Sequence, residues 1–323
     1  MNPQPTAAQW QEARAVLADL GLTAQEQPHG LMSAQRTSLP VLASGLGGKR
    51  FLLKYYLPLP EAAVLPPGAG PADFGRRESG FYRFLDSVDP HRRDFPAPRT
   101  IAYGPGDPPR WILLEWLPLA AGPAEEVIGQ EHAIELLRKL AAMPTDRLIG
   151  RRSFPLEHWD PIAYLDQIRA MYDAVLFVVG EARWRGIQRF FGEAVRWTDG
   201  RKHVLVHGDF CENNIVVTED GLPHLVDFEC VGIGNRDHDF ATFWIRCQRH
   251  PEWKRQLLGR WFGGQHGGDR IRAEWGIRAA VVHLALRRLR WGYLSHGEED
   301  PRLSANLALL DAALDGGASF FPA

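Results

Sequence analysis

The sequence predicts an α+β protein of two lobes, with a small N-terminal lobe built on an antiparallel sheet and a larger C-terminal lobe that is mostly helical. Two observations predict this division. Short strand-like runs separated by turns dominate the first part of the chain, and helical periodicity dominates the rest. The length of 323 residues also suits two compact units of about 100–200 residues each. We therefore predict an N-terminal lobe over residues 1–116 and a C-terminal lobe over residues 117–323.

The N-terminal lobe begins with a predicted amphipathic helix over residues 7–20, which Gly21 ends. The following residues change to strand texture around a glycine-rich turn at residues 45–48. They predict an antiparallel meander with strands near residues 30–36, 39–43 and 50–56.

The second half of this lobe combines a loop, a helix and two strands. A proline-rich loop over residues 57–71 leads into a predicted helix over residues 71–87. Two further strands are predicted over residues 100–103 and 111–116. Pro118 then breaks the pattern, which is why the lobe boundary lies beside it.

The C-terminal lobe carries long segments of helical periodicity. They predict helices over residues 131–142, 160–177, 183–195, 237–249, 251–262, 270–296 and 302–314. The segment 270–296 is apolar on two sides, which predicts a helix at the centre of its lobe. Short strand-like runs interrupt the helices at residues 204–206, 215–218 and 224–226, and the last two predict a hairpin around Gly221.

Composition and charge argue against several classes of protein. The formal net charge of −2 disfavours general nucleic-acid binding, which needs a basic surface. The three cysteines, Cys211, Cys230 and Cys247, follow neither metal-ligand nor disulfide spacing. The N-terminus lacks the regions of a signal peptide, and the apolar runs fall short of the ~20 residues of a membrane span. We expect a cytoplasmic protein without nucleic-acid or membrane partners, and its oligomeric state stays open.

One loop ahead of the predicted hairpin concentrates polar residues between two apolar runs. It reads VHGDFCENNIV over residues 206–216, and polar groups in such a position cost free energy unless they are satisfied. Asp227 ends the other strand of the hairpin, so folding brings Asn214 and Asp227 together. An amide oxygen and a carboxylate suit Mg²⁺, which takes few protein oxygens together with phosphates. Asp209 is then free to face a substrate hydroxyl, as in phosphoryl transfer. A loop whose Asp and Asn side chains only cap turns is the alternative.

These residues belong to a longer pattern that resembles a known family. His207-Gly208-Asp209 with Asn214, then LVDFE over residues 225–229, then Gly234 with Asp239-Phe240-Ala241 is similar to the aminoglycoside phosphotransferase and choline kinase group of small-molecule kinases. The match spans roughly residues 30–245. The resemblance implies the bilobal protein-kinase-like fold and transfer of the ATP γ-phosphoryl group to a hydroxyl.

The resemblance implies a role for each matching residue of the C-terminal lobe. Asp209 would orient and deprotonate the acceptor hydroxyl, while Asn214 and Asp227 would hold Mg²⁺. His207 would hold the shape of the loop by hydrogen bonds. Asp239 would support the loop from the following helix.

The resemblance also implies an ATP site in the N-terminal lobe. Lys54 lies in the third predicted strand, where the family's phosphate-binding lysine belongs, and Glu78 lies in the next helix as its ion-pair partner. The run LLEWL over residues 113–117 looks like the hinge, where the backbone of Glu115 and Leu117 would bond the adenine. The sequence departs from the pattern in having no second glycine between residues 30 and 44. The phosphate-covering loop would therefore be built from residues 33–38, beginning at Ser33.

Residues on the acceptor side give weaker indications. Glu212 stands in a loop interior, FCEN, that replaces the family's more usual Leu-His-Pro-Gly. If Glu212 and the acidic run at residues 298–300 face the pocket, they would favour a cationic acceptor such as an amino sugar or amino alcohol, and a solvated acidic face is the alternative. Trp244, with Trp291 and Tyr293, would suit a quaternary ammonium or form ordinary core. Asp239 is a further candidate on this side.

The predicted function is an ATP- and Mg²⁺-dependent phosphotransferase that acts on a hydroxyl of a small-molecule acceptor. A nucleotide-binding pseudokinase used as a scaffold or sensor is the alternative, because the glycine-poor loop leaves room for it. A metal-dependent hydrolase built on the same Asp cluster would leave Lys54 and Glu78 without a role.

Overall fold

The computed structural model describes residues 5–25, 37–57, 71–122, 124–149, 156–170, 172–200, 202–247, 249–316 and 320. Ser33 and the predicted strand near residues 30–36 lie outside the described residues, as does most of the predicted proline-rich loop.

The N-terminal lobe is a five-stranded antiparallel sheet with the strand order β1-β2-β3-β5-β4. Its strands are β1 (Thr23–Ala24), β2 (Ser38–Ser44), β3 (Arg50–Tyr56), β4 (Thr100–Tyr103) and β5 (Trp111–Glu115). The four strands predicted within the described residues are confirmed. Sequence analysis missed β1, because two residues are too few to show an alternating pattern. β3 lies between β2 and β5, which puts the strand that carries Lys54 in the middle of the sheet.

Two helices cover the faces of this sheet. α1 (Ala7–Asp19) begins at a capping box in which Thr6 Oγ1 accepts from the Gln9 N–H (3.3 Å) and Gln9 Oε1 accepts from the Thr6 N–H (2.8 Å). It buries Leu17 in a cluster with Leu53 of β3. α2 (Pro71–Val88) packs Phe81 on the opposite face, which leaves the sheet held on both sides.

The C-terminal lobe is mostly helical, as predicted. Its helices are α3 (Ala124–Val127), α4 (Gln130–Ala142), α5 (Asp146–Ile149), α6 (Pro161–Ala170), α7 (Tyr172–Thr198), α8 (Asp237–Arg246), α9 (Pro251–Phe262), α10 (Gly268–His296) and α11 (Leu303–Asp315). The predicted helix over residues 160–177 corresponds to α6 and the start of α7, and α7 is broken at Gly180, whose φ of 75° is not helical. None of the helices in the described residues is long and apolar enough to cross a bilayer.

α10 is central to this lobe. It packs against α7, α8 and α11 and buries residues on both predicted apolar sides, including Ile277 and Val281 on one and Leu286 and Leu289 on the other. The prediction of a central helix is therefore confirmed. The boundary between the lobes at residue 116 stays a prediction, although β5 ends at Glu115 and the Ala120 N–H already bonds the Val217 carbonyl of the C-terminal lobe (2.9 Å).

Two small sheets frame the polar loop. β6 (Glu157–Trp159), β7 (Val204–Val206) and β10 (Gly232–Gly234) form the order β6-β10-β7, and the predicted hairpin is β8 (Ile215–Val217) with β9 (Pro223–Leu225). β10 was not predicted, because glycine strands lack the usual β-forming residues. Its glycines are needed for close backbone approach, since a Cβ at Gly234 would lie 2.2 Å from the Trp159 carbonyl oxygen.

A buried group of rings lies beneath the polar loop, where α6, α8 and α10 meet. Trp159 stacks on His238 at 4.3 Å and Tyr164 stacks on His283 at 4.4 Å. The Tyr164 hydroxyl bonds His238 Nδ1 (2.7 Å), and His283 Nε2 donates to Gln167 Oε1 (2.8 Å). Burial lowers the pKa of His238 to about 3 and keeps the pKa of His283 well below its usual value, with Arg287 adding to both effects.

Neutral buried histidines make the fold sensitive to acid. Because their folded-state pKa lies below the unfolded value of 6.5, the unfolded chain binds more protons below that pH, and the free energy of unfolding falls as the pH drops from 6.5 towards 3. Each such imidazole contributes up to ~1.4 kcal/mol per pH unit. Urea denaturation at several pH values should show this slope. His283→Gln should flatten it, whereas the exposed control His266→Gln should not; equal slopes in both variants would contradict the account.

Candidate active site

The polar loop connects β7 to β8 and passes close to the backbone of Cys230, two residues before β10. Gly208 has a φ of +80°, and a Cβ there would lie 2.2 Å from the Cys230 carbonyl oxygen, so glycine is required on both counts. The Trp159 indole N–H donates to the same oxygen (3.2 Å). The loop thus follows one tight path that brings Asp209 out of the core.

Asp239, in the first turn of α8, anchors the start of the loop. Its carboxylate accepts from the backbone N–H of His207 (2.7 Å) and of Gly208 (2.9 Å). Burial raises the pKa of Asp239 to about 7, while these two N–H donors act in the opposite direction. Asp239 therefore supports the loop and, with both oxygens occupied, does not project towards an acceptor.

His207 is buried and bonded at both ring nitrogens. Its Nε2 donates to the Val226 carbonyl (3.0 Å), and its Nδ1 accepts from the Asp209 N–H (3.3 Å). Burial lowers the pKa of His207, which favours the neutral ring that this pattern requires. The imidazole therefore links the loop to the hairpin and fixes the backbone of Asp209.

Asp209 lies at the exit of the loop with its carboxylate partly exposed. Asn214 Nδ2 donates to the Asp209 backbone oxygen (2.8 Å) and to Oδ2 (3.0 Å). The other carboxylate oxygen forms an ion pair with Arg246 at the end of α8, in which each side chain is 35% exposed. Sequence analysis did not identify Arg246, because nothing in the local pattern links positions 37 residues apart.

Asn214 and Asp227 lie at the same end of the hairpin. The register pairs Ile215 with Leu225, and the Val226 N–H donates to the Asn214 carbonyl (3.1 Å), so Asp227 follows directly. Asp227 has φ 68° and ψ 64°, a left-handed conformation that turns its carboxylate out of the strand. Because both Nδ2 bonds of Asn214 go to Asp209, its amide oxygen is left to accept a ligand.

This donor set fits a magnesium ion that is shared with a nucleotide. One amide oxygen and one carboxylate oxygen are hard ligands, and Mg²⁺ completes its octahedron with phosphate and water oxygens. The described residues include no group of three or more His, Cys, Asp or Glu side chains that could hold a metal by themselves.

Lys54 pairs with one carboxylate from each lobe. Its ammonium pairs with Glu78 of α2 (2.7 Å) and with Asp227. Burial acts to lower the pKa of Lys54, but Asp227 and Glu78 more than offset it and raise that pKa well above its usual value. Glu78 is fully buried and also accepts from the Tyr56 hydroxyl (2.9 Å) and the Phe228 N–H (3.2 Å). The predicted Lys54–Glu78 pair is therefore present, and Asp227 is a third member.

The buried side chain of Phe228 fixes the backbone next to Asp227. Its side chain is fully buried, and its ring centroid lies 4.5 Å from that of Phe81, 5.0 Å from that of His207 and 5.5 Å from that of Tyr82. The Phe228 side chain therefore packs together α2, the polar loop and the segment that follows the hairpin.

Glu229 and Arg77, to which sequence analysis assigned no role, stabilise the segment that follows Asp227. Glu229 accepts a hydrogen bond from the Thr37 hydroxyl, and burial together with the nearby Asp227 raises the pKa of Glu229 to about 8. Arg77, next to Glu78 and almost fully buried, pairs with Glu157 (2.6 Å) and donates to the Glu229 carbonyl (3.2 Å). The signal that could have identified Arg77 was its place beside Glu78 on the buried side of α2.

The predicted hinge follows β5. Arg99 holds the Glu115 carboxylate through its backbone N–H (2.8 Å) and its Nε (2.7 Å), so that side chain points away from a nucleotide. The Trp116 N–H bonds the Arg50 carbonyl (3.3 Å). The Leu117 N–H makes no hydrogen bond to any residue that the structure describes, which leaves a backbone donor at the end of the sheet.

The acceptor-side candidates are largely engaged by other side chains. Glu212 pairs with Arg249 (2.8 Å), an arginine that is 9% exposed and also donates to the Ile128 carbonyl (3.2 Å). Trp244 packs on Phe320, with ring centroids 5.6 Å apart. Trp291 lies under the Arg302 guanidinium at 4.7 Å, and Tyr293 packs on Phe177 at 5.2 Å. These contacts do not assemble an open aromatic box.

The two-lobed fold, the Lys54 ion-pair triad and the loop that carries Asp209 define a small-molecule kinase. Comparison with known families supports this class, because a family model described as "Phosphotransferase enzyme family" matches residues 42–275. That match covers most of the chain, and the chain therefore belongs to the phosphotransferase enzyme family. No curated protein matches the sequence.

Solved structures show the same fold at low sequence identity. The gentamicin complex of aminoglycoside phosphotransferase APH(2")-IIa shares 15% identity with a TM-score of 0.63, over 99% of each chain. Aminoglycoside phosphotransferase APH(4)-Ia shares 16% with a TM-score of 0.63, over 97% of this chain and 100% of that one. A choline/ethanolamine kinase family protein from Mesorhizobium loti shares 16% with a TM-score of 0.55, over 96% of each chain. The predicted family and fold class are thus confirmed.

Replacing Lys54 tests the triad. Lys54→Met leaves the buried Glu78 and the partly exposed Asp227 without a cation and removes the positive charge from the phosphate side, so kcat/KM for the nucleotide should fall about 100-fold or more. Steady-state kinetics would measure the loss. Lys49→Met, in the exposed turn before β3, is the matched control and should retain activity; similar losses in both variants would refute the assigned role.

Replacing Asp239 tests the anchor of the loop. In Asp239→Asn, one oxygen can still accept, but the amide NH₂ faces a backbone N–H, so the free energy of unfolding should fall by about 1–3 kcal/mol. Urea denaturation would measure this change, and turnover should fall with it because Asp209 is displaced. The exposed control Asp199→Asn should change neither quantity.

Proposed function

We propose that the protein transfers the γ-phosphoryl group of ATP, in the presence of Mg²⁺, to a hydroxyl group of a small molecule. One observation carries the proposal. Lys54, Asp227 and Asn214 converge beside Asp209, so a cation for the phosphates, two metal ligands and a base lie in one cleft.

Each residue has a separate task in this reaction. Asp209 accepts the proton of the acceptor hydroxyl and aligns its oxygen for attack. Lys54, positioned by Glu78, binds phosphate oxygens as their charge is redistributed. Asn214 and Asp227 would hold Mg²⁺, which when bound neutralises the phosphate chain.

The nucleotide base fits the end of β5. The Leu117 N–H is a backbone donor with no partner among the described residues, and the Glu115 carbonyl is the second backbone group that we assign to adenine. The covering loop that begins at Ser33 completes the site in this proposal. Neighbouring structures that carry ADP and AMP-PNP on the same fold support a purine nucleotide as donor.

The charge and exposure of the residues near Asp209 bear on the identity of the acceptor. Glu212 was the basis for expecting an amino sugar or amino alcohol, and its charge is balanced by Arg249. What supports a small-molecule acceptor is the partial exposure of Asp209 beside α8, where a hydroxyl can reach the carboxylate.

Two substitutions separate metal binding from base catalysis. Asp227→Ala should abolish Mg²⁺-dependent ATP binding, measured by isothermal titration calorimetry. Asp209→Asn should keep that binding and lose at least ~100-fold in rate, measured as ADP release in the presence of acceptor. Unchanged turnover in Asp209→Asn would sink the mechanism.

The same measurements distinguish the alternatives. A pseudokinase scaffold would bind ATP and release no ADP with any acceptor. A metal-dependent hydrolase would form product without ATP. The exposed variant Asp220→Asn, in the turn of the hairpin, is the matched control and should behave as the wild type in both assays.

A further inference from the structure

One arginine of α8 contacts Asp209, and two more lie on α10, which packs against α8. Arg246 at the end of α8 forms the ion pair with its carboxylate and is partly exposed. α10 packs along α8 and carries Arg287 and Arg288 on successive positions near its end. Positive charge is therefore concentrated on α8 and its neighbour α10.

Two of the carboxylates predicted for this region, Glu212 and Asp300, do not offset that charge. Glu212 is balanced by Arg249 (2.8 Å), and Asp300 is balanced by Arg302 (3.0 Å). Asp300 is almost fully buried against Gly292, where a Cβ would lie 1.8 Å from its Oδ2. Both carboxylates are thus committed to internal pairs and are poor ligands for a cation from solution.

Arg287 and Arg288 remain without such a partner. Each is half-buried, and no carboxylate among the described side chains forms an ion pair with either. The Arg287 guanidinium lies 5.8 Å from the Trp159 ring, which in turn lies against Gly208, the residue before Asp209. Arg287 is therefore next to the loop that carries the base.

Arg288 is the next residue on α10, the helix that packs against α8, and Arg246 is the last residue of α8. Burial, followed by the neighbouring Arg246 and Arg302, lowers the pKa of Arg288. A half-buried guanidinium among like charges is costly unless an anion satisfies it, and such arrangements are typical of binding sites. The planar guanidinium matches the geometry of carboxylate and phosphate oxygens.

We propose that the acceptor carries an anionic group, a carboxylate or a phosphate, and that Arg288 together with Arg246 binds this group beside Asp209. This inference rests on the proposed phosphotransfer to a small-molecule hydroxyl. The acceptors it selects are hydroxy acids, sugar acids and phosphorylated sugars.

The ion pair between Arg246 and Asp209 gives this arrangement a second effect. An acceptor anion competes with Asp209 for Arg246, so its binding releases a carboxylate oxygen for the acceptor hydroxyl. A neutral acceptor leaves the pair intact, and an amine acceptor meets Arg287 and Arg288 with like charge. Binding of the correct acceptor and exposure of the base are thereby coupled through one arginine.

A matched acceptor series tests the charge preference directly. Glucose, glucosamine and glucuronate share one ring and differ in charge, and glucose phosphate separates a phosphate from a carboxylate; glycerol, glycerate and glycerol phosphate extend the series. ADP release with each acceptor gives kcat/KM, and calorimetry gives binding without turnover. We expect kcat/KM to be highest for one of the anionic members and lowest for the amine.

Variants of Arg288 identify the binding group. Arg288→Gln should raise KM for the anionic acceptor about 10- to 100-fold, as expected for the loss of one or two charge-assisted hydrogen bonds, and leave KM for ATP unchanged. Arg288→Lys should recover part of the affinity, and Arg288→Glu should shift the preference towards glucosamine. Arg272→Gln, at the other end of α10 and paired with Asp269 (3.1 Å), is the control.

The outcomes distinguish this inference from the proposed function. Turnover with glucose or glucosamine in preference to every anionic acceptor would overturn the inference and leave the kinase reaction standing. Binding of an anionic acceptor that Arg288→Gln abolishes, without ADP release, would support the anion site and overturn the proposed reaction. If calorimetry detects no binding of the carboxylates or phosphates, or binding that Arg288→Gln does not change, the inference fails.

Discussion

The rest of the structure depends on the buried ammonium of Lys54. A buried cation is stable only with counter-charges, and here they come from α2 through Glu78 and from the end of the hairpin through Asp227. Three segments that are far apart in the chain must therefore meet at one atom. Asp227 is fixed by Lys54 of the N-terminal lobe, and Asn214 is fixed by hydrogen bonds to Asp209. The positions of the nucleotide side and the acceptor side of the cleft are therefore fixed relative to each other.

Much of this could be predicted from the sequence, and for identifiable reasons. Asp209, Asn214 and Asp227 lie within one loop and one hairpin, so spacing along the chain already determines their proximity. The strands at residues 50–56 and 111–115 are rich in apolar and aromatic residues, and α10 is apolar on two sides because it is buried on both. Local pattern and tertiary environment agree in these segments, which is the condition under which sequence analysis succeeds.

The features that could not be predicted depend on partners distant in sequence. Glu212 carries a formal negative charge, yet its effect on a ligand is set by Arg249, 37 residues later. Arg77 resembles any surface arginine until α2 is packed against Glu157. β10 could not be predicted because glycine has a low strand propensity, and its glycines are required by the close approach of neighbouring backbone. The net charge at the acceptor side is therefore set by ion pairs that form on folding, and the local sequence composition does not predict it.

The packing of Phe228 has a pharmacological consequence. Its ring fills a closed pocket between Phe81, Tyr82 and His207 and cannot leave without opening a large apolar cavity in the core. Asp227, its neighbour, is thereby held beside Lys54. Inhibitors that work by occupying the space vacated by a displaced phenylalanine would find none here, and compounds that compete for the nucleotide cleft itself are the more suitable chemical starting point.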